Sequence, residues 1–339
     1  MRIALDAMGG DHAPQVTVQG ALEAVDECPD INVILVGNEK ALLRELSSKK
    51  YPKANITIRH ASEFISMDEP FSSLRRKKDS SIKRAVELVR ADVADAVVSA
   101  GHSGIAMAIS LLLLGKSRGV DRPAIATVMP SYKKPFVLID AGANVDCKAD
   151  NLLQFALMAH AYARLILDRP NPKIALLSIG EESIKGNELT KEAFKLLETA
   201  KINFVGNIEG KDIFMGNADV VVCDGFIGNV FLKTSEGLAE VTIKMLKREI
   251  ASMITGKLGY LFLRPALKKF KKQTDYAEYG GAPLLGINGT CIICHGRSTT
   301  KAIKNAIKVA EEFSKKKVHE AIAEEIQEMH PMEKTVVAL

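Results

Sequence analysis

What most constrains this chain is where its apolar runs stop. Three of them end in an aspartate beside glycine. Ile3-Ala4-Leu5-Asp6 continues into Ala7-Met8-Gly9-Gly10-Asp11-His12, and Phe136-Val137-Leu138-Ile139-Asp140 continues into Ala141-Gly142-Ala143-Asn144. Val220-Val221-Val222-Cys223-Asp224 runs into Gly225-Phe226-Ile227-Gly228-Asn229, and a fourth run, Ala96-Val97-Val98-Ser99-Ala100, leads into Gly101-His102-Ser103-Gly104. Apolar runs without alternation suit strands buried on both faces, as in a parallel sheet. Ligands of such sheets bind beyond the carboxyl ends of the strands. Glycine there lets backbone N–H groups approach an anion. Four such ends predict a shared polar cleft that handles phosphate.

Strand-like and helix-like segments alternate along nearly the whole chain. Strands are expected at 2–6, 31–36, 56–60, 95–100, 124–129, 136–140, 173–179, 202–206, 219–223 and 290–295. Helices are expected at 14–25, 39–48, 79–91, 103–114, 149–167, 186–200, 229–251 and 298–329. Asp79-Ser80-Ser81 offers an N-cap, and Gly115 closes the helix that opens after Gly101. The alternation predicts an α/β fold with a Rossmann-like, mostly parallel sheet flanked by helices. No linker composition divides residues 1–339, so one domain is expected. The stretch 252–275 breaks the pattern, which predicts a protruding helical, amphipathic segment near 245–275.

Charge is concentrated rather than spread. The net charge is +5, yet Lys244 to Lys272 holds nine basic residues against one acid, leaving the remainder at −3. The basic balance therefore marks one segment and does not predict nucleic-acid binding. Five cysteines, scattered and odd in number, do not form a secreted disulfide framework and suit a reducing compartment. Met1-Arg2 opens onto a strand-like segment rather than the apolar core of a signal peptide. The longest apolar stretch, Ile105 to Leu114, is shorter than the roughly 20 residues a spanning helix needs.

Several familiar signatures fail. Gly115-Lys116-Ser117 has Ser110 where a phosphate-binding Walker loop needs glycine, and it follows a helix instead of a strand. No Gly-x-Gly-x-x-Gly follows the first strand. Cys291-Ile292-Ile293-Cys294-His295 matches a haem-attachment pattern, but its cysteines lie in an apolar run and read as core. Cys223 reads as core too. Asp-x-Gly-Gly loops also occur in acetate-kinase-like phosphotransferases; there antiparallel strands lead into the loop, whereas here a helix follows at once. A membrane scaffold with a degenerate cleft is a further alternative, against which Lys185, Asn229 and the intact glycine loops argue.

The chain then resembles one family along nearly its whole length. Met1-Arg2-Ile3-Ala4-Leu5-Asp6-Ala7-Met8-Gly9-Gly10-Asp11-His12-Ala13-Pro14 is similar to the opening of the bacterial phosphate acyltransferases called PlsX, the fatty acyl–carrier-protein:phosphate transacylases. Matching blocks follow at Arg75-Arg76-Lys77-Lys78-Asp79-Ser80-Ser81, Asp140-Ala141-Gly142-Ala143-Asn144-Val145-Asp146 and Lys185-Gly186-Asn187-Glu188-Leu189. Others are Asn207-Ile208-Glu209-Gly210, Cys223 to Val230, Glu278 to Gly286 and His295-Gly296. The family pattern has Asn-Thr where this chain has His102-Ser103. The resemblance implies a fold like that of phosphotransacetylases and isocitrate dehydrogenases. It implies a cytoplasmic homodimer that converts acyl–acyl-carrier protein and inorganic phosphate into acyl phosphate, without cofactor or metal. That product would pass to a membrane glycerol-3-phosphate acyltransferase at the start of phosphatidic acid and phospholipid synthesis.

The chemistry selects candidate residues. Phosphate must attack a thioester, and a thiol with pKa of about 8.5 leaves readily, so positioning and electrostatics suffice. Catalytic candidates are Lys185, Asn229, His12 and His295. Substrate- and phosphate-binding candidates are Asp6, Gly9, Gly10, Asp11, Ser103, Gly104, Asp140, Asn144, Asp146, Asn187 and Asp224; the aspartates are expected to orient donors, since carboxylates repel phosphate. Arg75, Arg76, Lys77 and Lys78 are expected either to dock an acidic carrier protein or to be a solvated helix entry. Leu258, Leu261, Phe262, Leu263, Lys268 and Lys269 are expected to touch the inner, anionic face of a membrane reversibly, or else to form a dimer contact or a packed helical hairpin.

Overall fold

The computed structural model describes residues 1–252, 259, 262–268, 270 and 276–329. Its eleven-stranded sheet has the order β3-β2-β1-β4-β11-β10-β5-β6-β9-β7-β8. The first half comprises β1 (Arg2–Asp6), β2 (Asn32–Gly37), β3 (Ile56–His60), β4 (Ala96–Ser99) and β11 (Cys291–Ile293), all parallel. The second half comprises β6 (Phe136–Ile139), β9 (Val220–Val222), β7 (Ile174–Ser178) and β8 (Phe204–Glu209), parallel among themselves. Between them, β10 (Ala282–Leu285) and β5 (Ala124–Met129) pair antiparallel to each other, to β11 and to β6. Three reversals leave the halves pointing opposite ways.

Helices cover both faces. α1 (Gln15–Glu27) and α9 (Thr300–Lys315) pack with the first half into one core around Leu5, Val25 and Ile303. α4 (Ser81–Arg90) and α5 (Ser103–Leu114) close its other face around Val97, Ile105 and Ile109. On the second half, α6 (Ala149–Ile166) is buried nearly all round, between the sheet, α7 (Glu188–Thr199) and α10 (Val318–Met329). A helix apolar on every side has to be internal. Two short elements complete the order used here: α2 (Glu39–Ser47) and α3 (Ser73–Arg76).

Local chemistry explains the helix ends. His102 caps α5, its Nδ1 accepting the Ile105 N–H at 3.4 Å, and Gly115 ends the helix at φ 78°. Ser80 precedes α4 without bonding a helix N–H. Asp79 instead accepts from Ser62 and Arg84, and those donors hold its carboxyl well below the usual range, Ser62 most strongly. The expected helix 298–329 is two helices, broken at Lys317, whose φ is 49°.

The helix expected from 229 begins earlier. α8 (Gly225–Ser252) starts where Asp224 Oδ1 accepts the Ile227 N–H at 2.9 Å, a capping arrangement. Only Gly225 and Gly228 of α8 are buried, and Val230, Leu238, Val241, Met245 and Leu246 stand exposed.

Candidate active site

The first group of strand ends is β1, β4 and β11, in register at Asp6, Ser99 and Ile293. Asp6 is buried, and its Oδ2 accepts the Ser99 hydroxyl at 2.7 Å; Ser99 Oγ in turn accepts the Gly101 N–H at 3.1 Å. Burial pushes the Asp6 carboxyl above its ordinary range, against partial offset from Ser81, Ser99 and the backbone of Met8 and Gly9. Position 9 must be glycine, since a Cβ would lie 2.6 Å from Asp6 Oδ2 and 2.8 Å from the Gly101 nitrogen. The Asp11 N–H donates to the Gly296 carbonyl at 2.9 Å, which ties the β1 loop to the β11 loop.

His295 lies beside this tie. Its Nδ1 accepts the Arg297 N–H at 3.2 Å, and its Nε2 stands 3.1 Å from Lys233 Nζ. Partial burial and then the Lys233 ammonium lower its pKa. A neutral imidazole accepts at one nitrogen only, so the ring pairs with either the Arg297 N–H or the Lys233 ammonium, and the other donor is left to a further acceptor. Phe71 meets His102 edge-on at 6.3 Å, and Met67 lies over Gly296.

The second group is β6, β9 and β7, adjacent and parallel. Asp140 is fully buried and accepts five N–H bonds of 2.7–3.1 Å, from the backbone of Ile125, Gly142, Ala143 and Asn144 and from Asn144 Nδ2. Burial still pushes its carboxyl upward against those donors. Gly228 presses α8 onto this turn so closely that a Cβ would fall 1.9 Å from the Asp140 carbonyl oxygen. Gly142, at φ 135°, faces Asn229. On the β7 loop, Lys185 is exposed, and Asn187 caps α7 by accepting the Thr190 N–H at 2.9 Å.

The four strand ends do not share one direction, as a single parallel sheet would give them. They form two groups whose strands point opposite ways, because β10 and β5 reverse the sheet's direction. α8 joins them: Asn229 sits beside Gly142 and Lys233 beside His295, one helical turn or about 6 Å apart. Asp6, Asp140, Asp224, Asn144 and Asn187 are committed to organising turns. His12, Asp11, Ser103, Asp146, Lys185 and Asn229 are exposed. Asn229 lies in the second turn of α8, not at its start. Lys233 and Ser99 were missed by sequence reasoning; the signal for Lys233 was its spacing, four residues after Asn229 on one helix face.

Other candidates resolve locally. Lys77 Nζ donates to Glu69 at 2.6 Å and to the Phe64 carbonyl at 2.7 Å, drawing the Glu69 carboxyl down to about 2, and Arg76 donates to Ser73. Cys291 and Cys294 pack into cores on opposite faces of the sheet, three residues apart on a strand, so they cannot grip one group together. Burial raises these thiols to about 11 and about 12, and pushes Cys223 up as well. Phe262, Leu263 and Lys268 are exposed, whereas Leu258, Leu261 and Lys269 lie outside the described residues. No described helix is long and apolar enough to cross a membrane.

This architecture is that of the phosphotransacetylases. A phosphotransacetylase from Streptococcus pyogenes superposes with a TM-score of 0.63 at 19% identity, covering 96% of this chain and 94% of that one. A branched-chain phosphotransacylase from Enterococcus faecalis gives 0.57 at 16% identity, over 94% and 99%. Within that fold the sequence is more specific. The model of a family described as "Fatty acid synthesis protein" matches residues 1–321. A phosphate acyltransferase of Thermodesulfovibrio yellowstonii is 61% identical, over 97% of this chain and 95% of the relative, and one of Geobacter sulfurreducens is 52% identical, over 96% and 94%. The chain belongs to this family of phosphate acyltransferases, enzymes of lipid biosynthesis.

Proposed function

We propose that the enzyme transfers a fatty acyl group from the thioester of acyl-carrier protein to inorganic phosphate, giving acyl phosphate for the first step toward phosphatidic acid. The observation that carries this reading is the single turn of α8 that sets Asn229 and Lys233 between two sets of glycine-rich strand ends. Lys233 and Arg297 supply positive charge and N–H donors beside the Gly9–Gly10 and Gly296 turns, a setting for phosphate. Asn229 and the exposed Lys185 belong to the second group, where a tetrahedral oxyanion needs donors. A phosphate oxygen attacks the thioester carbon, the oxyanion collapses, and the carbon–sulfur bond breaks to release the pantetheine thiolate. A thiol of pKa about 8.5 leaves as its anion, so an obligatory acid is not needed. The proton lost by dihydrogen phosphate passes to solvent, and His295, through whichever ring nitrogen accepts, orients the donors beside it.

The exposed apolar side chains of α8 support a homodimer through that helix, since large apolar patches mark interfaces. The exposed Phe262 and Leu263 beside Lys268 support reversible contact with an anionic membrane at the cell's inner face, where a membrane glycerol-3-phosphate acyltransferase would take up the acyl phosphate. The decisive experiment mixes purified protein, palmitoyl-carrier protein and phosphate and follows free carrier thiol. Phosphate-dependent thiol release is expected; release that ignores phosphate, or a requirement for ATP and Mg²⁺, would reject the reading. Flotation with anionic vesicles and light scattering test the membrane and dimer parts separately.

A further inference from the structure

A groove of about 530 Å³ runs along α5, within the usual range for small-molecule sites. One wall is Met107 and Leu111, on the helix face opposite the buried Ile105 and Ile109. Pro123 and Asn144 form the other wall, and Lys116, just past the helix end, and Arg122 complete the lining. The groove reaches the second group of strand ends at Asn144, and its helical wall belongs to the helix that starts at the first group. α5 opens at the first group through His102, Ser103 and Gly104, and Asn144 belongs to the second, donating through Nδ2 to Asp140. From Met107 to Gly115 the helix rises about 12 Å, enough to seat much of an extended phosphopantetheine arm.

The far end is basic. Between Gly115 and Arg122, three cations (Lys116, Arg118, Arg122) face one acid, Asp121. Lys116 and Arg118 are exposed; Lys116 Nζ donates to the Asp121 carbonyl at 2.9 Å and stands 4.0 Å from its carboxylate. Arg122 is half-buried and donates to the Asp146 carbonyl at 2.7 Å. This is the Gly-Lys-Ser stretch that fails as a nucleotide loop, and its position at a groove mouth gives it another use.

The geometry points to this groove as the seat of the phosphopantetheine arm of the acyl donor, with Lys116 and Arg122 meeting the arm's phosphodiester and the exposed Arg118, two residues after Lys116, meeting the acidic surface of the carrier protein. The assignment rests on the reading that a carrier-bound thioester is the substrate. Charge decides between the two halves of that substrate. A hydrocarbon tail gains nothing from two cations at the end of its channel, whereas a phosphodiester gains charge-assisted hydrogen bonds there.

The test compares Lys116→Glu/Arg118→Glu with Arg75→Glu/Lys78→Glu, using the acyl-carrier protein and the same acyl group on N-acetylcysteamine, which lacks the phosphodiester and the carrier. For the first variant, KM for the acyl-carrier protein should rise at least ~10-fold with kcat little changed, and its salt dependence should flatten, as expected for a rim charge that steers docking. Its preference for the carrier substrate over the truncated one should fall by a similar factor. Leu111→Trp, which fills the groove, should lower kcat/KM for the carrier substrate more than for the truncated one. Equal losses on both substrates would mark a structural role and overturn the assignment, as would a KM effect confined to the Arg75/Lys78 variant. If the parent enzyme released no thiol from either substrate with phosphate, the proposed function itself would fail, a result distinct from parent activity with unaffected variants.

Discussion

The two groups of strand ends each bury an aspartate at the same place, the last strand residue before a glycine turn, and treat it in opposite ways. Asp140 accepts five N–H bonds, so its turn is a closed knot. Asp6 accepts one hydrogen bond of good geometry, the Ser99 hydroxyl at Oδ2; Ser81 and the Met8 and Gly9 N–H groups offset its burial only from poorer geometry, and its other oxygen, Oδ1, is buried without a partner within hydrogen-bond distance. Burying a charge is tolerable when hydrogen bonds replace water and costly when they do not. The knot is thus a structural device that fixes the β6 turn under α8, whereas the under-satisfied site is one whose state depends on its protonation. The same sequence signal, apolar run then Asp then Gly, encodes two different pieces of physics.

Exchanging the carboxylates for amides should sharpen this most. Asp140→Asn turns an NH2 donor toward a ring of N–H donors, and urea unfolding should show a loss of about 3 kcal/mol or more. Asp6→Asn loses little, under ~1 kcal/mol at pH 7, because it removes a buried charge that was poorly paired. Equal losses would dissolve the contrast. The pH dependence carries a matching sign. A carboxyl raised on folding contributes stability that is fully present below its unfolded value, about 3.9, and is lost as pH rises through the raised folded value. Both aspartates act in this sense. Asp6→Asn should therefore reduce, without abolishing, the fall in denaturation midpoint on raising the pH through that range.

Activity separates the groups next. Lys185→Ala and Asn229→Ala, in the second group, should each lower transacylation by about 10²-fold in folded protein, the scale of removing one preorganised donor. Near-parent turnover in both would move the oxyanion site to the first group. Lys233→Ala tests that first group. With the ammonium gone, the His295 pKa should rise, read by NMR titration, and KM for phosphate should increase more than kcat falls. An unmoved histidine would mean that the Lys233–His295 contact does not exist in solution.

The smallest effect lies along α8, whose first turns are pressed against Asp140 and whose later turns are open. Gly237 has no neighbour within 4 Å of where a Cβ would stand. Gly237→Ala should stabilise the protein by about 0.5–1 kcal/mol, the ordinary gain of replacing glycine inside a helix, measured by thermal unfolding. A destabilised variant that also dissociates would show that a second copy packs on this face.

The residues themselves determined a great deal. The strands 2–6, 56–60 and 124–129 and the helix 103–114 stand where continuous apolar runs and the Gly115 stop place them. Buried strands and capped helices are local or near-local events, and composition records them. The family blocks, the mostly parallel sheet and the core character of Cys223, Cys291 and Cys294 were legible for the same reason. The start of α8 was not, because Asp224 could equally have been a ligand. The strand 282–285 was also missed, since Gly280-Gly281-Ala282-Pro283 carries no strand pattern and Pro283 lacks the N–H a ladder expects. Only the tertiary structure decided what followed from that strand. By pairing antiparallel with both β11 and β5, β10 starts the reversal of direction that splits the strand ends into two groups. Which polar residue then meets which depends on that long-range pairing, and no spacing along the chain encodes it. The contact of Lys233 with His295 across 62 residues is its clearest product.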